Sequence, residues 1–130
     1  MITKADFIAI PARYAEIERD RKRVAAMRAR LYSPKGLDTR EKVQSSGHDS
    51  MLADTVIDMQ QKVDEKAEAF NEVIAEAEQL IYEHLTGDLL FIMRLRYVDV
   101  LSWEDISKVS LYSPATLYRY RREAIAILFK

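Results

Sequence analysis

The stretch from Leu52 to His84 contains no glycine and no proline, and its apolar residues recur close to a heptad repeat. Residues at these spacings share one face only in an α-helix, so the stretch predicts one long helix whose apolar stripe must be covered. The stripe comprises Leu52, Val56, Met59, Val63, Phe70, Val73, Ala77, Leu80 and His84. Gly87 follows and is expected to stop the helix.

A second stripe of the same kind lies near the start of the chain. Thr3 is suited to cap a helix that has Asp6 in its first turn. Pro11 predicts a kink, or a restart of the helix at Ile10, because proline lacks the backbone N–H that an interior turn needs. The apolar positions are Phe7, Ile10, Tyr14, Ile17, Val24 and Leu31, with Arg21 and Arg28 at two positions of the seam.

These two helices carry opposite charges. Residues 13–35 include eight basic and three acidic side chains, a net charge of +5, whereas residues 54–78 include two basic and eight acidic ones, a net charge of −6. We therefore predict that residues 1–87 form a long antiparallel helical hairpin in which the two helices neutralise each other. The basic run Arg19–Arg23 has two interpretations, a solvated flank that faces the acidic helix or a nucleic-acid patch.

The segment between the helices, residues 33–50, has no apolar periodicity, which predicts a mobile loop. Its serines and His48 lack both an acidic residue that would orient a base and a turn that would form an oxyanion site. The chain has no cysteine and only two histidines, His48 and His84. We therefore expect no catalytic residues, no metal or cofactor site and no enzymatic activity.

Apolar runs such as Leu89–Met93 are much shorter than the roughly twenty residues that span a bilayer. No charged segment followed by an apolar one opens the chain in the manner of a signal peptide. The sequence therefore predicts a cytoplasmic protein without a membrane partner. The net charge of −1 does not by itself indicate a nucleic-acid partner.

Three further helix signals lie within residues 88–130. Asp88 is placed to cap an apolar helix. Ser102, with Asp105 three residues later, resembles a capping box and predicts a short helix to about Ser110. Ser113 and Pro114 predict the start of a last helix. Two capped helices joined by a turn of about three residues are typical of a helix-turn-helix, so the whole chain is predicted to be all-α, a helical hairpin followed by a three-helix domain.

The last helix has two distinct faces. At about 100° per residue, Leu117, Ala124 and Leu128 share one face and are expected to be buried. The opposite face carries small, hydroxyl and arginine side chains, which can reach base edges and phosphates in a DNA major groove. The candidate DNA-binding residues are Ser113, Ala115, Thr116, Tyr118, Arg119 and Arg122. Two alternatives are that the arginines face only water, or that the flank with Ile125 and Phe129 packs on the hairpin or on another subunit.

Residues 95–125, LRYVDVLSWEDISKVSLYSPATLYRYRREAI, resemble region four of sigma factors. They do so in the form carried by small phage and prophage proteins of Gram-positive bacteria that are similar to late-gene regulators of the ArpU type. The charged first helix, the segment VQSSGHDSM (residues 43–51) and the acidic second helix resemble the same family in the same order. Within this match, the segments VQSSG and LSWEDI are the ones specific to the family.

The resemblance implies a promoter-reading helix-turn-helix in a phage protein of the bacterial cytoplasm. It implies DNA-reading roles for Ser113, Thr116, Tyr118, Arg119 and Arg122, and core roles for Trp103, Ile106, Leu117 and Tyr120. The family has glycine in both turns, where this chain has Val100 and Leu111. A left-handed backbone costs such side chains on the order of 1 kcal/mol or more, so we expect either turns of another shape or strained turns.

We therefore expect a phage-encoded transcription regulator that binds double-stranded DNA with its last helix. The hairpin would serve self-association or contact with RNA polymerase. The alternative is a phage assembly, packaging or partner-sequestering protein in which the helix-turn-helix is architectural. The acidic helix and the turns without glycine favour this alternative.

Overall fold

A computed structural model of the protein describes residues 1–31 and 46–130. The described residues are helical and contain no strand, which confirms the predicted all-α fold. We number the helices α1 (Lys4–Ile8), α2 (Ile10–Leu31), α3 (Ser46–His84), α4 (Gly87–Tyr97), α5 (Trp103–Ser110) and α6 (Pro114–Leu128). None of these helices contains an apolar stretch long enough to cross a bilayer.

The first two helices follow from local signals. The Thr3 hydroxyl accepts a hydrogen bond from the backbone N–H of Asp6 at 3.1 Å, which confirms Thr3 as the cap of α1. The helix ends at Ile8, and α2 begins at Ile10 with Pro11 as its second residue. This confirms the predicted restart, because Pro11 lies in a first turn where its missing N–H leaves no hydrogen bond unmade.

The described residues divide into two compact units, and residues 15–68 form one of them. Its core consists of Val24 from α2 and of Val56 and Val63 from α3, with Met27 and Met59 packed against them. Along α2 the contacts run from Glu16 and Asp20 to Val24, whereas along α3 they run back from Lys66 to Val63. The two helices are therefore antiparallel, which confirms the hairpin.

The ion pairs between these two helices differ from the prediction. Lys66 of α3 lies 3.2 Å from Glu16 and 3.2 Å from Asp20 of α2, so the cation comes from the acidic helix and the anions come from the basic one. Within the described residues, no arginine of α2 pairs with a carboxylate of α3, and Arg21 bonds to Glu18 on its own helix. Direct pairs between the basic residues of α2 and the acidic residues of α3 are therefore not seen in the described part of the chain, because the stripes that pack together are apolar and leave most charges on the outer surface.

The second unit comprises residues 1–14 and 69–130, and its core crosses residue 87. Phe7 of α1 is fully buried, stacks on Tyr97 of α4 at 4.3 Å between ring centroids, and meets the edge of the Phe129 ring at 5.4 Å. Ile81 and Leu85 belong to the same core. The predicted domain boundary at residue 87 thus falls inside a shared core. Whether residues 1–87 and 88–130 fold separately stays a prediction.

A smaller cluster holds the three C-terminal helices together. Ile92 of α4, Ile106 of α5 and Leu117 of α6 are almost fully buried against one another, one from each helix. Trp103, Tyr112 and Tyr120 are partly buried at its margin. This arrangement confirms the predicted three-helix layout.

Two helix starts were predicted wrongly. The cap of α4 is Thr86 rather than Asp88, and α4 begins at Gly87, whose φ of 61° is left-handed. Asp88 instead accepts a hydrogen bond from a tyrosine described below. The helix α3 begins at Ser46, inside the predicted loop, because adding a turn to an existing helix costs far less than starting one. Residues 33–45 of that loop lie outside the described residues.

Candidate nucleic-acid interface

The start of α6 is defined by two hydroxyl groups. The Ser113 hydroxyl accepts a hydrogen bond from the backbone N–H of Thr116 at 3.3 Å and donates one to the Thr116 hydroxyl at 3.0 Å. Pro114 follows as the first helical residue. Ser113 and Thr116 therefore act first as a helix cap, with Ser113 exposed and Thr116 half-buried.

The buried face of α6 matches its sequence pattern. Leu117 is 1% exposed and Ala124 is fully buried, while Leu128 and Ile125 are also in the core. Ile125 packs with Phe129 against the core that includes Phe7. This flank of α6 therefore packs on the N-terminal part of the chain, which was one of the two alternatives for it.

The opposite face of α6 is open to solvent. Ala115, Arg119 and Arg122 are exposed, Tyr118 is 52% exposed, and Thr116 is half-buried. Within the described part of the chain, no carboxylate lies within ion-pair distance of Arg119 or Arg122. The Arg119 guanidinium lies 5.4 Å from the centre of the Tyr120 ring, which leaves its N–H groups free to bind an anion.

The turns on either side of α5 are both left-handed. Val100 has a φ of 54° and Leu111 a φ of 65°. Of the two alternatives for these turns, the left-handed, strained one is therefore correct, and backbone hydrogen bonds to Arg94, Leu95 and Ser107 hold the chain next to both positions. Such strain costs on the order of 1–2 kcal/mol per residue.

Arg96 holds the first of these turns and was not singled out by the sequence. Its Nη1 donates a hydrogen bond to the carbonyl oxygen of Leu101 at 2.8 Å, and its guanidinium lies 5.1 Å from the centre of the Trp103 ring. Burial lowers the pKa of Arg96, because a less polar environment disfavours the charged form. An arginine within an apolar helix was the one feature of the sequence that could have drawn attention to Arg96. The carbonyl group of Leu101 that it binds comes within reach only because the chain turns at Val100.

The second turn is held by a tyrosine. The Tyr112 hydroxyl donates a hydrogen bond to Oδ2 of Asp88 at 2.9 Å. This hydrogen bond raises the pKa of Tyr112, because the carboxylate accepts it only from the protonated phenol. Ser107 donates to the Tyr112 carbonyl oxygen at 2.6 Å. The turn before α6 is therefore tied both to α4 and to α5.

The charge of this region is modest but locally one-sided. Residues 88–130 include seven basic and five acidic side chains, a net charge of +2. Lys108 lies 3.5 Å from Glu104 on the same helix, so part of the acidic charge is paired on α5. On α6 itself, Glu123 is the acidic residue among three arginines.

The histidines and carboxylates of the described residues lie apart from one another as far as metal binding is concerned. Among these residues there is no cluster of three or more histidine, cysteine or carboxylate side chains that could hold a metal ion. His84 is exposed and lies 3.9 Å from Glu83. The segment Val43–Gly47 was assigned no role by the sequence, and residues 43–45 lie outside the described part. Comparison with models of protein families, with curated proteins and with solved structures found no match.

Proposed function

We propose that the protein is a non-enzymatic transcription regulator of the phage type that reads duplex DNA with α6. The observation that carries the proposal is the exposed face of α6, where Arg119 and Arg122 project without an acidic partner among the described residues. A helix that follows a turn tied to both α4 and α5 can enter a major groove without reorganising, and its arginines can bind guanine edges or phosphates.

The roles follow from position along α6. Ser113 and Thr116 lie at the tip, where hydroxyls can donate to phosphate oxygens, and Ala115 allows close approach of the backbone. Tyr118 is suited to a phosphate or to the methyl group of thymine. Arg119 and Arg122, one turn apart, are suited to base edges and the neighbouring backbone. Contact with RNA polymerase through the hairpin belongs to the same proposal.

The test is a DNA-binding titration with the double variant Arg119→Ala and Arg122→Ala. A genomic-fragment selection with the full chain supplies the DNA. We expect the variant to lose about 1–3 kcal/mol of binding free energy for each bidentate arginine–base pair. The slope of log K against log salt should fall by about 0.9 for each phosphate that the variant no longer binds.

The matched control is Arg19→Ala with Arg30→Ala, which removes the same charge from exposed positions on α2. This control should bind DNA as the unmodified protein does. Equal DNA affinity of the α6 variant and the control would contradict the proposal. It would mean that the loss of affinity depends on the net charge of the protein and not on the position of the arginines on α6.

A second candidate is an assembly, packaging or partner-sequestering protein. It is favoured by the exposed carboxylates of α3, among them Asp54, Asp58 and Glu65, which have no ion-pair partner within the described residues. An acidic surface repels DNA and suits a basic protein partner. The same fragment selection separates the two functions, since a protein of this second kind enriches no sequence.

A further inference from the structure

The hairpin of residues 15–68 has two helices of opposite net charge, and among the described residues the ion pairs between them come from Lys66 alone. In this unit, the described part of α2 carries six basic and three acidic side chains, a net charge of +3. The side chains of residues 51–68 on α3 include two basic and five acidic ones, a net charge of −3. Because the ion pairs between the helices come from Lys66, both net charges remain on the outer surface.

The two sides of this hairpin differ. One side carries Lys66 with its two acidic partners, and an open hollow there is also lined by Arg23 and Lys62. At about 100° per residue from the buried valines, the other side of α2 carries Arg21, Arg28 and the exposed Ala25 between them, with Glu18 bonded to Arg21 at 2.9 Å. We call this second side the open face.

On α3 the open face carries Ile57, Asp64 and Glu68 by the same spacing. Ile57 is 61% exposed, which is unusual for an isoleucine in the middle of a long helix. Asp64 accepts a hydrogen bond from Gln60 of its own helix and has no cationic partner among the described residues. The open face thus combines a basic edge, an acidic edge and an exposed apolar residue.

We propose that two copies of the protein associate through their open faces as a symmetric four-helix bundle. A two-fold axis parallel to the helices places α2 of each copy over α3 of the other. Since α2 and α3 are antiparallel within one copy, every neighbouring pair of helices in this bundle is antiparallel. The interface uses the same surface on both copies and closes on itself, so it yields a dimer rather than an open array.

The charges are aligned in this arrangement. Within one hairpin, Asp20 is level with Lys66 and Val24 lies in one cluster with Val63, so Arg21 is level with the residues around Asp64. A two-fold axis parallel to the helices keeps these levels. Arg21 of one copy therefore faces the acidic edge of the other copy, and this happens twice. The reverse stacking, α2 on α2, brings arginines together and is repelled.

The apolar content of the open face supplies the rest of the interface. Ile57 and Ala25 lose water when the faces meet, and the small alanine lets the helices approach closely. Charged residues close to the seam of such a bundle select the orientation and the partner at some cost in affinity. The inference does not rest on DNA binding. If the proposed function holds, the dimer contains two copies of α6.

The experiment is sedimentation equilibrium on the full chain across a range of concentrations, with a monomer mass of 15.1 kDa as reference. One variant reverses the basic edge with Arg21→Glu and Arg28→Glu, and another reverses the acidic edge with Asp64→Lys and Glu68→Lys. We expect a dimer for the unmodified chain and a dissociation constant raised roughly tenfold or more for each variant alone. An equimolar mixture of the two variants should recover dimers, because each acidic edge then meets a basic one.

Recovery in the mixture distinguishes a broken interface from a misfolded chain, and circular dichroism checks the helix content of each variant. Ile57→Asp should also give monomers. The control Arg19→Glu with Arg30→Glu makes the same charge change at other exposed α2 positions and should stay dimeric. A monomeric unmodified chain at every concentration, or a mixture that remains monomeric, overturns the inference. A third result would also overturn it: a protein that is monomeric and binds nucleic acid less tightly after Arg21→Glu and Arg28→Glu. The basic edge would then bind nucleic acid rather than a second copy of the chain.

Discussion

Leu111 and Val100 show how two positions of similar backbone shape differ in what their side chains contribute. Both are left-handed, and each carries a side chain that this conformation disfavours. Leu111 is 88% exposed, so its side chain offsets little of the strain. Val100 is partly buried and packs against the core, so contact with the core compensates for part of its cost.

We therefore predict that Leu111→Gly stabilises the protein. Glycine removes the strain, and the gain is reduced by the greater freedom of glycine in the unfolded chain, which leaves about 0.5–1 kcal/mol. Urea unfolding followed by circular dichroism measures the change. Val109→Gly is the matched control, because Val109 is also exposed but lies inside α5, where glycine should destabilise by a few tenths of a kcal/mol. A Leu111→Gly protein no more stable than the original would show that the turn is not strained.

At the scale of the helices, the hydrogen bond from Tyr112 to Asp88 joins the start of α4 to the turn before α6. The raised pKa of Tyr112 links this tie to pH. A phenol whose pKa is higher in the folded protein contributes stability that is fully present below its ordinary pKa of 10.0 and is lost as pH rises through the folded value.

We predict that Tyr112→Phe lowers the free energy of unfolding at neutral pH, and that the difference from the unmodified protein disappears as pH rises above 10. Unfolding titrations at several pH values measure the difference, and the ultraviolet absorbance of the phenolate reports the titration itself. Tyr82→Phe is the control, since Tyr82 is exposed and takes no part in this hydrogen bond. A difference that stayed constant through alkaline pH would exclude the hydrogen bond as its cause.

Whole-molecule stability depends on contacts between the two ends of the chain. Phe7 is fully buried between Tyr97 and Phe129, and the Tyr97 hydroxyl accepts a hydrogen bond from Nε of Arg121 at 2.8 Å. Through Phe7, α1 therefore packs against α4 and against the C-terminal end of α6. Removal of the Phe7 ring should therefore destabilise the whole unit of residues 1–14 and 69–130 and not α1 alone.

We predict that Phe7→Ala lowers the free energy of unfolding by about 3–5 kcal/mol, the usual cost of removing a buried aromatic ring. Urea unfolding measures the loss. Ile8→Ala is a close control, because Ile8 is the next residue of α1 but is 39% exposed, and it should cost much less. Similar losses for the two variants would mean that α1 contributes to the fold through helix formation and not through the packing of this ring.

The local signals in the sequence predicted local structure well. The caps at Thr3, Ser102 and Ser113 were identified because each depends on a hydrogen bond to a residue three positions away. The buried face of α6 followed from helical periodicity for the same reason. The exposure of Arg119 and Arg122 could be anticipated from the opposite face of that pattern.

Long-range packing could not be predicted in this way. The stripe of α3 was extended to His84, which is exposed, whereas Ile81 is fully buried and was missed. A straight α-helix turns away from a heptad repeat by about 20° in each heptad, so a seam that begins at Val56 has shifted by the end of a helix this long. The pairing of Phe7 with Tyr97 and the hydrogen bond from Arg96 to its turn depend on residues far away or on an unusual backbone, and neither leaves a periodic signal.

The position of Trp103 gives the protein a built-in optical probe. It is the sole tryptophan of the chain, and its ring lies 5.7 Å from that of Tyr118 on the exposed side of α6. An indole beside a cation and a neighbouring phenol changes its emission when either one moves. Intrinsic fluorescence can therefore report occupancy of this surface on the unlabelled chain, and stopped-flow mixing can resolve how fast a ligand arrives and leaves.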